Sequence, residues 1–297
     1  MTAIQPEHNR SFLSRIFISP DETRLRAGWR LLIQSLLMFL IGILIFTIGI
    51  FFGSDIVASQ VFQQIANLAI MTGSIYIARR WLDKRSFESL GLKLDKQTWI
   101  DILAGIGITF VQMSLIYFVM NALGWITFEG FAWQFDPINT VISNVLIFLI
   151  GFTIVGWNEE LLSRGYHLQT IASGTNLFWG VIISSAIFGL LHLANPTANW
   201  ISTTGIFLAG IFFAYGYIRT KQLWLPMGMH LGWNFFEGVV FGFPVSGLDI
   251  YPLTRIQVHG PELWTGGAFG PEAGLIVIPA LVLGAILIYF STANRTT

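Results

Sequence analysis

The chain has 297 residues, of which 54% are apolar and only 11% are charged, and its formal net charge is zero. A soluble domain carries about 25% charged residues, so the composition indicates an integral membrane protein. The balanced charge gives no support for nucleic-acid binding. The sequence contains no cysteine, which excludes disulfides, zinc–thiolate sites and a cysteine nucleophile.

The hydrophobic pattern predicts an all-α, polytopic membrane helix bundle of about eight transmembrane helices. A span needs about 20 predominantly apolar residues to cross the hydrocarbon layer. Residues 1–28 are interpreted as a cytoplasmic or interfacial arm, and residues 29–297 as one transmembrane domain. The predicted spans are Trp29–Phe52, Ile56–Ile77, Ile100–Leu123, Val141–Trp157 (with a helical extension to about Ile171), Leu177–Ala194, Ile201–Ile218, Leu223–Phe243 and Ala273–Phe290.

The basic residues predict that both termini face the cytoplasm. Of the 16 Lys and Arg residues, all but Arg255 fall in segments that an N-in arrangement puts inside. Cytoplasmic loops carry the excess of Lys and Arg in membrane proteins. An even number of spans agrees with this N-in, C-in orientation.

Three charged residues, Glu159, Glu160 and Arg164, follow the long apolar run of the fourth span. A charged residue at the membrane centre costs about 2.5–3.5 kcal/mol on insertion scales, so such residues face the bundle interior. Neighbouring helical residues point about 100° apart, whereas residues four apart share a face. We therefore predict a structural Glu160–Arg164 pair and a lone Glu159 that acts as a general base. The competing interpretation is three solvated, inert residues at the cytoplasmic interface.

Two later spans supply further polar residues. His192 lies late in the fifth span, and His230, Asn234 and Glu237 share one face of the seventh. Counted at about 1.5 Å per residue from the inner helix ends, Glu159, His192, His230 and Asn234 fall in one broad layer near mid-membrane. A satisfied core histidine and hydrogen bonds between helices are the competing interpretations of these residues.

Taken together, the motifs E-E-x-x-x-R (Glu159 to Arg164), F-x-x-x-H (Phe188 to His192) and H-x-x-x-N (His230 to Asn234) resemble those of the CPBP (Abi) family. This family of intramembrane proteases includes the type II CAAX prenyl endopeptidases and bacteriocin-processing or immunity proteins. The resembling core covers about residues 141–242, and Glu237 is not part of the motifs.

The resemblance implies hydrolysis of a peptide bond in a membrane-associated or lipid-modified substrate. It implies that Glu159 activates water with help from His192, and that His230 and Asn234 stabilise the oxyanion. The family is often described as metalloprotease-like, and zinc could be held by Glu159, His192 and His230. Because Asn is a poor zinc ligand and no H-E-x-x-H motif is present, we predict a mechanism without an obligatory metal.

The expected partners are membrane lipids and a peptide or lipidated protein substrate, without nucleic acid. The expected location is a bacterial cell membrane, with the site reachable from the cytoplasmic side. A non-catalytic immunity or scaffold protein of the same family is the first alternative. A proton-coupled transporter, with Glu159, His192, His230 and Glu237 as a relay, is a second alternative, which the lack of a visible repeat weakens.

Overall fold

A computed structural model describes residues 11–20 and 22–295 of the chain, and helices dominate this part, as predicted. The first α-helices are α1 (Phe12–Phe17), α2 (Ala27–Phe52), α3 (Ser54–Ala58), α4 (Gln60–Ile77), α5 (Lys96–Ala122) and α6 (Ile138–Glu160). The later ones are α7 (Gln169–Gly174), α8 (Leu177–Leu191), α9 (Trp200–Thr220), α10 (Trp224–Asn234), α11 (Glu262–Thr265) and α12 (Val277–Ser291). π-Helical segments continue α4, α6 and α10 at Ala78–Leu82, Leu161–Leu168 and Phe235–Val240.

Within the described residues, six helices are long and apolar enough to cross a membrane. They are Ala27–Phe52, Gln60–Leu82, Lys96–Ala122, Ile138–Gly174, Leu177–Ala194 and Trp200–Thr220. Each overlaps one of the predicted spans. The other two predicted spans correspond to α10 with its π-helical continuation and to the 15-residue α12. The total of eight spans and the N-in, C-in orientation therefore stay predictions. Part of the predicted N-terminal arm, residues 1–10 and 21, lies outside the described residues.

The chain divides into two compact units, and the first comprises the described residues up to 92 together with residues 161–183. Its helices α2, α4 and α7 pack around a buried ionic cluster. The carboxylate of Asp83 accepts hydrogen bonds from Arg30 Nη1 at 2.5 Å and Arg79 Nη1 at 3.1 Å, and Arg24 Nη1 lies 3.6 Å away. Burial and repulsion from Arg30 lower the pKa of Arg24 to about 10. One carboxylate therefore holds three buried guanidinium groups together.

The second unit comprises residues 93–160 and 184–295, and α10 lies at its centre. This helix packs against α5, α6 and α9, while α12 packs against α5 and α9. Their facing side chains form one apolar core, which includes Ile108, Met113, Ile116, Met120, Phe212, Phe213, Leu225, Met229 and Trp233. Sequence reasoning put α10 near the end of the chain's spans but could not predict its central position.

Two short strands, β1 (Ile126–Phe131) and β2 (Thr254–Val258), form an antiparallel pair within the second unit. The register shifts between Phe128 and Gly130, which marks a β-bulge, and Gly130 has the positive φ of +143° that glycine tolerates. Asp136 accepts hydrogen bonds from Arg255 Nη2 at 2.5 Å and from the Tyr251 hydroxyl at 2.8 Å. Sequence analysis did not predict this sheet.

Candidate active site

Glycines bring α10 unusually close to α5. A Cβ atom on Gly228 would collide with the backbone of Ile102, and one on Gly232 would collide with the hydroxyl of Thr109. Conversely, a Cβ on Gly105 of α5 would lie 2.5 Å from the Leu225 carbonyl oxygen. Small residues spaced four apart allow helices in membranes to pack backbone against backbone. The G-x-x-x-G spacing at 228 and 232 was a usable sequence signal that sequence reasoning missed.

A further glycine lets the end of α6 approach α10. A Cβ on Gly156 would lie 3.3 Å from the Met227 carbonyl oxygen and 3.5 Å from His230 Cβ. Glu159 and Glu160 follow within one helical turn and end α6. The close packing therefore brings two consecutive carboxylates to the histidine of α10.

Glu159 lies between the two histidines that sequence reasoning selected. Its Oε2 atom is 3.7 Å from Nε2 of His192 and 3.7 Å from Nε2 of His230. This oxygen is buried and has no hydrogen-bond partner among the described residues, although the side chain as a whole is 32% exposed. A separation of 3.7 Å is too long for a direct hydrogen bond, but one water molecule can bridge such a gap.

The other nitrogen of each histidine is already engaged. His192 Nδ1 is 2.8 Å from the carbonyl oxygen of Phe188, and His230 Nδ1 is 2.8 Å from Oε1 of Glu160. Both oxygens can only accept, so we assign the proton to Nδ1 in each ring. In the neutral form of each ring, the Nε2 atom is an acceptor directed at Glu159. Three acceptors face one another, an arrangement that requires a donor such as water between them.

Aromatic rings fix the planes of both imidazoles. The ring of Phe213 stacks on His230 at a centroid distance of 5.1 Å and an angle of 7°. The ring of Phe188 meets His192 edge-on at 4.7 Å and His230 at 6.2 Å. Two hydrogen-bonded, ring-packed histidines have little rotational freedom, which suits a preorganised site.

The remaining polar residues of α10 and its continuation differ in their surroundings. Asn234 is buried one turn after His230, and no described residue hydrogen-bonds to its amide. Glu237 is fully buried in the π-helical segment, and neither of its carboxylate oxygens makes a well-formed hydrogen bond within the described part of the chain. π-Helical segments often occur at functional sites. Asn234 is therefore buried with an amide that no described side chain engages, and Glu237 is sealed from solvent.

The predicted partner of Glu160, Arg164, belongs to the first compact unit and is also buried. The Glu160–Arg164 pair therefore stays a prediction. Sequence reasoning gave Glu160 a purely structural role and missed its hydrogen bond to His230. The two residues are 70 positions apart, so no local pattern could have revealed the contact.

The donor set does not fit a zinc site. A structural or catalytic zinc ion takes at least three nitrogen, sulfur or carboxylate ligands at about 2.0–2.3 Å. Among the described residues, no three His, Asp or Glu side chains are grouped so that they could hold a metal ion. The metalloprotease-like description therefore finds no support in these residues.

The fold and the site define a helical membrane protein whose two glutamates and two histidines meet in one partly buried cluster. Residues 141–236 match the family model described as Rce1-like, type II CAAX prenyl endopeptidase. This segment contains all three motifs and is similar to that family, in agreement with the resemblance to CPBP proteins.

Two curated proteins of Bacillus subtilis (strain 168) are similar to the chain. "Putative membrane peptidase YdiL" is 35% identical over 119 residues, which are 40% of this chain and 47% of that protein. "Uncharacterized protein YyaK" is 26% identical over 237 residues, 75% of this chain and 72% of that protein. The chain thus spans about half the length of the first relative. No solved structure matches the chain.

Proposed function

We propose that the protein is an intramembrane endopeptidase that hydrolyses a peptide bond in a membrane-associated or lipid-modified substrate. The observation that carries this proposal is the placement of Glu159 Oε2, 3.7 Å from Nε2 of both histidines and without a hydrogen-bond partner among the described residues. This gap suits a water molecule that donates one hydrogen bond to Glu159 and one to His192. The Rce1-like match supports the same reaction class.

Glu159 is the proposed general base. Water donates one hydrogen bond to Glu159 and a second to Nε2 of His192, which aligns its lone pair with the scissile carbonyl carbon. As the water oxygen forms a bond to that carbon, its proton passes to Glu159. Collapse of the tetrahedral intermediate breaks the C–N bond, and the proton is delivered to the leaving amine. The products are one carboxylic acid and one amine, so atoms and charges balance.

Asn234 and His230 are the proposed oxyanion-stabilising residues. The Asn234 side chain carries two N–H donors that no described residue uses, and it lies one turn from His230 on α10. In this proposal His230 already carries both ring protons when the substrate binds, because only the imidazolium donates from Nε2 while its Nδ1 proton is held by Glu160. The buried carboxylate of Glu160 stabilises that charged form. Donors aimed at a developing oxyanion supply a large part of catalysis in such sites.

The proposed setting is a bacterial cell membrane, with the site open to the cytoplasmic side. The distribution of basic residues supports this orientation. The exposed third of Glu159 supports access for a substrate from outside the helix cluster. The proposed substrate is a peptide or lipidated protein held at the membrane surface. Membrane lipids surround the protein.

The test uses the purified full-length protein in detergent or nanodiscs and a library of prenylated and acylated peptides. We expect the wild-type protein to cleave at least one lipidated peptide and Glu159→Gln to lose at least about 100-fold in kcat, because the base is gone. Glu88→Gln, an exposed carboxylate outside the cluster, is the matched control. A wild-type protein that cleaves nothing, or a Glu159→Gln variant that cleaves equally well, contradicts the proposal. Proton flux in liposomes that depends on Glu159 would instead favour a transporter.

A further inference from the structure

A buried carboxylate outside the matched family segment is tied to the loop that follows α10. Oε2 of Glu272 accepts a hydrogen bond from the backbone N–H of Ser246 at 2.8 Å and from its hydroxyl at 2.6 Å. Glu272 is only 5% exposed. Two hydrogen bonds to one buried carboxylate oxygen define the position of Ser246 closely, because charged acceptors make the stronger hydrogen bonds.

Ser246 is connected in turn to the segment that carries His192. The side-chain amide of Asn195 donates to the Ser246 carbonyl oxygen at 3.1 Å. The backbone N–H of Asn195 donates to the His192 carbonyl oxygen at 3.0 Å, which closes the 3-10 turn His192–Ala194. The contacts thus run from Glu272 through Ser246 and Asn195 to the backbone of His192.

The backbone of Ser246 adopts a conformation that supports a constrained role. Its φ of +49° lies in the left-handed region, which few residues other than glycine and asparagine adopt. The next residue, Gly247, has a φ of +82°, and its N–H donates to the Phe269 carbonyl oxygen at 2.8 Å. A Cβ atom on Gly247 would collide with the carbonyl oxygen of Pro196. Such conformations persist where surrounding contacts enforce them, and they are frequent at functional sites.

His192 needs this support because α8 ends just before it. The α-helix covers Leu177–Leu191, and His192 begins a three-residue 3-10 turn that continues into irregular chain. The Nδ1 hydrogen bond to Phe188 orients the ring but leaves the following backbone to be held from elsewhere. Burial raises the pKa of Glu272, and the hydrogen bonds from Ser246 oppose that rise.

We propose that Glu272 and Ser246 are positioning residues. They hold the His192 turn in the place from which the His192 ring faces Glu159. This inference rests on the proposed peptidase function and extends it to the segment 244–273, which the family model does not cover. A displacement of about 1 Å in a catalytic group can cost about 100-fold in rate. Because neither residue is placed at the substrate, their loss lowers kcat and leaves KM nearly unchanged.

Two variants test the proposal in the intact protein. Glu272→Gln keeps the shape of the side chain but removes its charge, and Ser246→Gly removes the hydroxyl while suiting the left-handed backbone. We expect kcat to fall about 10- to 100-fold in each, with KM within about twofold of wild type. Tyr251→Phe is the control, because it removes a 2.8 Å hydrogen bond to Asp136 in the same segment without touching the His192 turn. Its kcat is expected to stay at the wild-type value.

A second measurement does not depend on activity. The protein has five histidines, and ring-labelled histidine gives one NMR signal for each, with His192 assigned by its loss in His192→Gln. We expect Glu272→Gln and Ser246→Gly to shift the His192 signal and Tyr251→Phe to leave it in place. An unshifted His192 signal in both variants overturns the positioning role, whether or not activity changes. If wild type and Glu159→Gln are equally inactive while the signal does shift, the proposed function fails and the structural link remains.

Discussion

The hydrogen bond between Glu160 and His230 allows a sharp test of how the site is organised. Glu160 is fully buried, and its Oε1 lies 2.8 Å from His230 Nδ1. Glu160→Gln is nearly isosteric and still offers a carbonyl acceptor to Nδ1, but it removes the negative charge. The substitution therefore separates the orientation of the ring from the stabilisation of its charged form.

The expected magnitude follows from the type of hydrogen bond. A hydrogen bond to a charged group contributes about 1.5–3 kcal/mol. If that contribution supports the imidazolium of His230 in the transition state, its loss lowers kcat by about 10- to 150-fold, at about 1.4 kcal/mol per tenfold change. The loss should appear in kcat and in kcat/KM together, because the interaction is needed only in the transition state.

The assay compares wild type, Glu160→Gln, His230→Gln and the double variant with the best lipidated peptide. If Glu160 acts through His230, adding Glu160→Gln to His230→Gln costs little further activity. Additive losses would show that Glu160 acts by another route. A folded Glu160→Gln variant whose kcat stays within about threefold of wild type would refute this reasoning.

Further predictions concern packing, charge and metal. Gly228→Ala is expected to lower the melting temperature of the purified protein, because overpacking costs about 1–3 kcal/mol, whereas Gly107→Ala on α5, with no atom within 4 Å of its Cβ position, should not. Asp83→Asn should destabilise the protein by about 3–5 kcal/mol, because it leaves the buried Arg30 and Arg79 without their carboxylate, whereas Arg24 keeps its ion pair with Glu22. The exposed Asp55→Asn is its control in thermal unfolding. Finally, exhaustive chelation should leave peptidase activity intact. If chelation abolished the activity and added zinc restored it, the metal-free mechanism would be contradicted.

Much of the fold could be predicted because membrane helices have a strong, local signal. Six predicted spans coincide with long apolar helices in the described residues. The helix containing Glu159 even continues past the apolar run, as predicted, in a helical stretch that reaches Gly174. The two-stranded sheet was not predicted, because Ile126–Phe131 and Thr254–Val258 are far apart in sequence and each is too short to stand out.

The candidate site shows a similar division. Glu159, His192 and His230 could be selected from the sequence because ionisable residues inside apolar runs are costly and therefore rare. The partner of Glu160 could not be selected, since local helical spacing points only to Arg164. The position of Glu272 could not be predicted either, because it lies in a loop without hydrophobic periodicity. Its contact with Ser246 depends on the fold of residues 244–273.

The adjacency of Glu159 and Glu160 acquires a physical explanation from the geometry of an imidazole ring. Consecutive helical residues point about 100° apart. Two neighbouring carboxylates therefore point away from each other but can approach a third group from different sides. The two nitrogens of His230 lie on different edges of its ring: Nδ1 meets Glu160 at 2.8 Å, and Nε2 faces Glu159 at 3.7 Å. The 2.8 Å distance to Glu160 is that of a direct hydrogen bond, and the 3.7 Å distance to Glu159 is one that a water molecule can bridge. Glu160 thus accepts the Nδ1 proton of the ring, and in the proposed reaction Glu159 binds the water that is consumed.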